Sequence, residues 1–268
     1  MTAASENPWL IRGPDDSAET LVLCFNAAGA GAIAFERWNA PRHRVVQFMG
    51  VLLPGRELRF AEAPFRHVGP LIERMLPALL PLFERPVALY GHSYGALIAF
   101  ELARALRRVG VAPSMLFVAC RPAPQLPYPY PPVYHLPDEQ LIESVRSYGG
   151  LQLDTRIDAK VVSTFLPTVR ADLQANTCYA YTEEEPLTCP IVGLYGADDP
   201  VCSLSDIRAW QSQTTRALTV WGYPGGHFFP RACFHELAER FCLALPPAAQ
   251  YIAPSTSANA NAPNLRVP

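Results

Sequence analysis

A serine hydroxyl is a poor nucleophile at neutral pH unless a base stands beside it, and that base needs an orienting partner. The chain offers a place to build one at Gly91-His92-Ser93-Tyr94-Gly95. The stretch follows an apolar run at residues 87–90. It precedes Ala96, Leu97, Ala99, Phe100, Leu102, Ala103, Ala105 and Leu106, spaced as the apolar face of a helix that ends at Gly110. A Gly-x-Ser-x-Gly turn between a strand and a helix pushes the serine hydroxyl outward, and the new helix points free N–H groups at whatever binds there. The pattern alone is weak, because with Gly and Ser each near ~7% of residues it arises by chance in roughly one such chain in ten. A plain glycine-serine turn between two core elements is the alternative; the flanking strand and helix favour the nucleophile.

In a parallel-sheet hydrolase the order along the chain is Ser, then Asp or Glu, then His. Two histidines lie far enough downstream, His227 and His235. His235 falls inside the last helical stretch, where a solvated or packed imidazole is ordinary. His227 follows a strand and two glycines, Gly225 and Gly226, which let the backbone turn the ring toward Ser93. His227 is therefore the expected base. His92 is expected to point away from the turn and pack or bond to backbone, and His43, His67 and His135 default to the surface. Asp198 and Asp199 both follow the strand that ends at Gly196. Hydrolases of this kind place the acid three residues after such a glycine, which picks Asp199 and leaves Asp198 as a loop-capping or solvated carboxylate. An acyl transfer also needs two donors for the oxyanion. The backbone N–H of Tyr94 is one candidate. The other is the N–H of Ala28, in the small-residue loop that follows an early strand; the same small residues also permit tight helix packing.

These residues must be held by a sheet. Apolar runs at residues 21–25, 45–53, 87–90 and 115–120 alternate with helical spacing, which argues for a parallel sheet covered on both faces. The alternation stops at residues 121–186, where helices are expected over 138–147 and 160–181, and it resumes with strands at 190–196 and 217–221. An insertion of that length reads as a helical lid over the loop end of the sheet, with a peripheral helical subdomain that gates nothing as the alternative. Residues 1–18 are expected to lie loosely on the surface, 19–245 to form the domain, and 246–268 to be a disordered tail. The length of 268 residues suits one large α/β domain or two small ones, and with half of the residues hydrophobic a sizeable core can be buried.

The net charge of −2 gives no basic footprint, so no nucleic-acid partner is expected. Glu183-Glu184-Glu185 reads as a solvated turn. No apolar run reaches membrane-spanning length, no signal peptide is evident, and the seven cysteines lack metal or disulfide spacing, so a cytoplasmic protein with reduced thiols is expected.

Five motifs together carry a specific resemblance. Phe25-Asn26-Ala27-Ala28-Gly29-Ala30, Pro54-Gly55-Arg56-Glu57-Leu58-Arg59, Gly91-His92-Ser93-Tyr94-Gly95, Gly196-Ala197-Asp198-Asp199-Pro200-Val201 and Gly225-Gly226-His227-Phe228-Phe229 resemble those of stand-alone type II thioesterases of polyketide and nonribosomal-peptide assembly lines. The phrases Leu136-Pro137-Asp138-Glu139 and residues 166–172 resemble their lids. The resemblance covers residues 20–245. It implies the α/β-hydrolase fold, a Ser93–His227–Asp199 triad, and hydrolysis of acyl thioesters on the phosphopantetheine arm of carrier proteins, as an editing step without metal or cofactor and by a monomer. Asn26, Ala30 and Tyr94 stand where proline, glycine and methionine are usual, and Tyr94 is placed to narrow the acyl pocket or offer it a hydroxyl. A carboxylesterase, an acyltransferase and a non-catalytic binding module are the competing readings. The late acid and histidine loops favour a hydrolase triad over the second, and a complete triad argues against the third.

Overall fold

The computed structural model describes residues 7–39, 45–150 and 159–251. Residues 1–6, the segment carrying His43, and 252–268 of the expected tail lie outside it. Six strands, β1 (Thr20–Phe25), β2 (Val46–Gly50), β3 (Val87–His92), β4 (Leu116–Ala119), β5 (Ile191–Gly196) and β6 (Leu218–Tyr223), form one sheet in the order β2-β1-β3-β4-β5-β6. Every pairing is parallel. The helices are α1 (Val68–Leu79), α2 (Tyr94–Arg108), α3 (Asp138–Ser147), α4 (Ala159–Thr177), α5 (Leu204–Arg208) and α6 (Phe234–Ala244).

Strand periodicity sends alternate side chains to opposite faces. Leu21, Leu23, Phe25, Val87 and Leu89 join α1 and α2 in one core, whereas Val22, Cys24, Ala88 and Tyr90 join a second core. The second core is closed by α6 and by a short 3-10 helix, Ile33–Trp38. Phe241 of α6 stacks on Phe117 of β4 at 4.0 Å between ring centres. Burial on both faces explains why the strands read as continuous apolar runs rather than alternating ones. All six carboxyl ends lie at one edge of the sheet, and that edge holds the loops of interest.

Three expectations change. The N-terminal segment is not loose throughout: Trp9 and Leu10 are buried, the Leu52 N–H donates to the Trp9 carbonyl at 2.7 Å, and Leu10 bridges Val51. Two large apolar side chains beside β2 gain more by burial than their backbone loses in freedom. Residues 12–17 do stay exposed. At the other end, residues 246–251 include a 3-10 turn, and the Tyr251 hydroxyl donates to the Phe83 carbonyl at 2.6 Å. Glu184 is not a solvated residue: it pairs with Arg104 at 2.6 Å, with Arg107 at 2.5 Å and with Arg108, all on α2. This cluster ties the chain returning from the insertion to α2.

Between β4 and β5 the described residues hold no strand, and α3 and α4 occupy the insertion. α4 ends at Thr177, earlier than the spacing suggested. A small separate core of Leu141 and Leu166, flanked by Val133, Ile142, Val145 and Leu173, joins the two helices. No helix among the described residues is long and apolar enough to cross a membrane.

Candidate active site

Ser93 sits between β3 and α2 in a conformation that few L-residues adopt, with φ 55° and ψ −115°. Such strain persists only where the surroundings over-determine it. Here they do so through backbone contacts. A Cβ on Gly91 would stand 2.2 Å from the Gly95 carbonyl oxygen, and one on Gly95 would stand 2.1 Å from that of Phe25. Strand, turn and helix therefore fit only with glycine at both places. The Ser93 N–H donates to Ala119 of β4 at 2.8 Å, which fixes the turn against the sheet.

His227 comes from the loop after β6, where Gly225 takes φ 101°. Its Nε2 is 2.9 Å from Ser93 Oγ. Its Nδ1 is 3.0 Å and 3.1 Å from the two Asp199 carboxylate oxygens. A carboxylate only accepts, so Nδ1 carries the proton and Nε2 presents its lone pair to the serine hydroxyl. The Asp199 side chain is fully buried and also accepts the Val201 N–H at 2.8 Å. The acid and base loops are laced together, since the Asp198 N–H donates to the Gly225 carbonyl at 3.0 Å. The geometry thus brings together the three side chains nominated from sequence. Asp198, His67, His135 and His235 are exposed and stand apart from them.

His92 does pack away from the serine, and it has a definite partner. Its buried Nε2 donates to the His227 backbone carbonyl at 2.8 Å. Burial, helped by the neighbouring His227, pushes its pKa from 6.5 down to about 3. The unfolded chain binds this proton near pH 6.5 and the folded chain does not until about pH 3. Stability tied to His92 is therefore complete above the higher value and is lost progressively as pH falls between the two. A His92→Gln variant is expected to show a flatter fall, the difference reaching at most about 1.4 kcal/mol per pH unit. Denaturant melts of both proteins at several acidic pH values check this; parallel slopes would refute it.

Two backbone N–H groups were nominated as oxyanion donors, those of Tyr94 and Ala28. Tyr94 is the first residue of α2, so its N–H lacks an intrahelical acceptor. Ala28 lies on the loop after β1, lines the cleft, and its N–H has no acceptor among the described residues. The Tyr94 ring, however, does not line the cleft. It is buried in the core, near the charges of Asp172 and Arg56. It neither narrows the pocket nor offers it a hydroxyl.

The cleft is roofed by the insertion. Tyr128, Tyr130, Val133, Val145 and Tyr148 line it with Leu173, Asn176 and Thr177 of α4. The wall is mainly apolar and aromatic, suited to an acyl chain, with a few polar groups at its edges.

Sequence reading passed over Arg56 and Asp172 as functional residues. Their side chains form a buried bidentate ion pair, both bonds 2.8 Å, beside the Ala28 loop. The available signal was an acidic residue among Leu166, Val169 and Leu173 on an otherwise apolar helical face.

Residues 20–243 match the family model described as thioesterase domain. The gramicidin S biosynthesis protein GrsT of Aneurinibacillus migulanus is 39% identical over 91% of this chain and 97% of its own length. Thioesterase PikA5 of Streptomyces venezuelae is 32% identical, covering 93% of this chain and 91% of its own. Among solved structures, the RedJ thioesterase of the prodiginine pathway in Streptomyces coelicolor superposes with a TM-score of 0.80 at 33% identity, over 88% of this chain and 91% of that one. The type II thioesterase BorB of the borrelidin cluster gives 0.78 at 31% identity, over 88% and 96%.

Proposed function

The chain belongs to the thioesterase domain family, with type II thioesterases among its relatives, and on that premise we propose that it clears acyl or aminoacyl groups from the phosphopantetheine arms of carrier proteins. Thioester hydrolysis is the family's reaction. The carrier-bound substrate, the editing role and the part played by each side chain are our reading.

In that reading Ser93 Oγ attacks the thioester carbonyl while His227 Nε2 takes its proton. The carbonyl becomes a tetrahedral oxyanion held by the Tyr94 and Ala28 N–H groups. As the C–S bond breaks, His227 returns the proton to the leaving thiol. Water then attacks the acyl-serine, losing a proton to His227; as the acyl C–O bond breaks, His227 returns that proton to Ser93 Oγ and the free acid departs. Asp199 holds the imidazole in the working tautomer and stabilises the imidazolium at each proton transfer. The insertion serves as the lid over the acyl chain.

The observation that carries the reading is the continuous chain of contacts from Asp199 through His227 to Ser93, at 3.0 Å and 2.9 Å, opening on a mainly apolar cleft. The test is turnover of acyl and aminoacyl groups loaded on one carrier protein, beside a p-nitrophenyl ester of the same acid. Faster clearance from the carrier, measured as kcat/KM, is expected. A strong preference for the simple ester would favour a carboxylesterase instead, and transfer of the acyl group to an added acceptor would favour an acyltransferase.

A further inference from the structure

We infer that Asp172 and Arg56 are positioning residues for the oxyanion donor, so that the insertion's long helix holds part of the catalytic apparatus in place. The inference rests on the reading of Ala28 N–H as that donor.

Consider where the N–H groups of residues 27–30 go. Ala27 donates to the Asn26 side-chain oxygen at 2.9 Å, Gly29 to Asp172 Oδ2 at 2.8 Å, and Ala30 to the Ala27 carbonyl at 3.0 Å. The Ala28 N–H donates to nothing among the described residues, and Ala28 lines the cleft together with Ser93. Its neighbours on both sides are pinned, which leaves its own peptide plane little freedom to rotate. A donor held in advance stabilises the oxyanion without having to reorganise during the reaction.

The pinning comes from two directions. From α4, Asp172 takes the Gly29 N–H and both terminal nitrogens of Arg56. Arg56 in turn donates to the Ala30 carbonyl at 3.1 Å. Asp172 and Arg56 side chains are only 3% and 6% exposed, so neither charge is compensated by water. The contact is close: Gly29 has φ +73°, and a Cβ there would lie 2.5 Å from Val169 Cγ2 of α4. Thr168, also on α4, donates to the Gly55 carbonyl at 2.6 Å. From the other direction Glu57, at φ 49°, accepts the Ala32 and Ile33 N–H groups at 2.8 Å and 2.9 Å. Consecutive residues of the Pro-Gly-Arg-Glu loop thus grip the stretch just after Ala28, at Ala30, Ala32 and Ile33, and Asp172 joins that grip to α4. Asn26 adds an internal brace by donating to the Gly31 carbonyl at 2.8 Å.

A neutral amide at 172 retains the side-chain shape but turns an N–H₂ group toward donors it cannot accept. The test measures kcat per active site, counted by fluorophosphonate titration, with KM and melting temperature, for wild type, Asp172→Asn and Arg56→Lys on an acyl-pantetheine thioester. Asp172→Asn is expected to lose about 10–100-fold in kcat with KM changed less than about threefold, the signature of a misplaced transition-state donor. Affinity for an alkyl boronic acid, whose adduct with Ser93 carries the tetrahedral anion, is expected to fall in parallel. A kcat per titrated site within about twofold of wild type, whatever the melting temperature, overturns the inference. Should Asp172→Asn not fold, Arg56→Lys, which preserves the cation but not the two-pronged pairing, decides by the same readouts. Ser93→Ala separates the layers. If it still turns over, the reading of the site fails; if it is inactive while Asp172→Asn is normal, only the positioning role fails.

Discussion

Replacing Ser93 with alanine is expected to lower kcat on an acyl thioester by roughly 10⁴–10⁶-fold. The magnitude follows from what the hydroxyl does in the proposed cycle: it forms the covalent bond, and its removal leaves water to attack an unactivated thioester. The oxyanion donors and the cleft remain, so a small residual rate above the uncatalysed one is expected. The fold is expected to survive, because the side chain's hydrogen bond goes to His227 and the strain at φ 55° lies in the backbone, which alanine shares. Single-turnover measurements with radiolabelled acyl carrier, alongside a melting curve, check both halves. Near wild-type turnover from a correctly folded variant would remove Ser93 from the mechanism.

Asp199→Asn is the second large effect, roughly 10⁴-fold in kcat with little change in shape. The buried carboxylate accepts from His227 Nδ1 at 3.0 Å. An asparagine that turns its N–H₂ toward the ring makes Nδ1 the acceptor and moves the proton to Nε2. The lone pair that Ser93 needs is then gone. An imidazolium formed in the transition state would also lack its counter-charge in a site shielded from water. The check is the pH dependence of kcat for the variant, with Asp198→Asn as the internal control. Asp198 is exposed, and its substitution is expected to leave kcat within about twofold. Equal losses from the two substitutions would mean that the acid had been misassigned.

Some of this site was legible because its chemistry imposes local sequence. The turn at Ser93 has no room for side chains, so Gly91 and Gly95 announce it, and the loop at His227 needs Gly225 for its positive φ. The order of strands and helices followed from the apolar runs for a similar reason, since a sheet buried on two faces leaves few polar interruptions. What stayed hidden depends on contacts that spacing does not encode. Arg56 and Asp172 are 116 residues apart, and neither has a local partner that would reveal the pair. The direction of the Tyr94 ring depends on the twist at the turn, which a residue type does not report. Trp9 and Leu10 were hidden by the polar residues around them, although their own apolar surface was sufficient to dock them beside β2. Glu184 looked solvated because its three arginine partners lie on α2, far back along the chain.

Cys120 ends β4's run into the site, and its sulfur lies within 4.8 Å of the Asp199 and His227 ligand atoms. Burial, together with the negative Asp199, holds its thiol well above the ordinary range. A thioester readily exchanges with a thiolate but not with a thiol. Cys120 is also buried and does not line the cleft, so its sulfur sits behind the triad rather than in the path of an acyl chain. A neutral, shielded thiol next to the triad is thus a product of the packing first and of the Asp199 charge second.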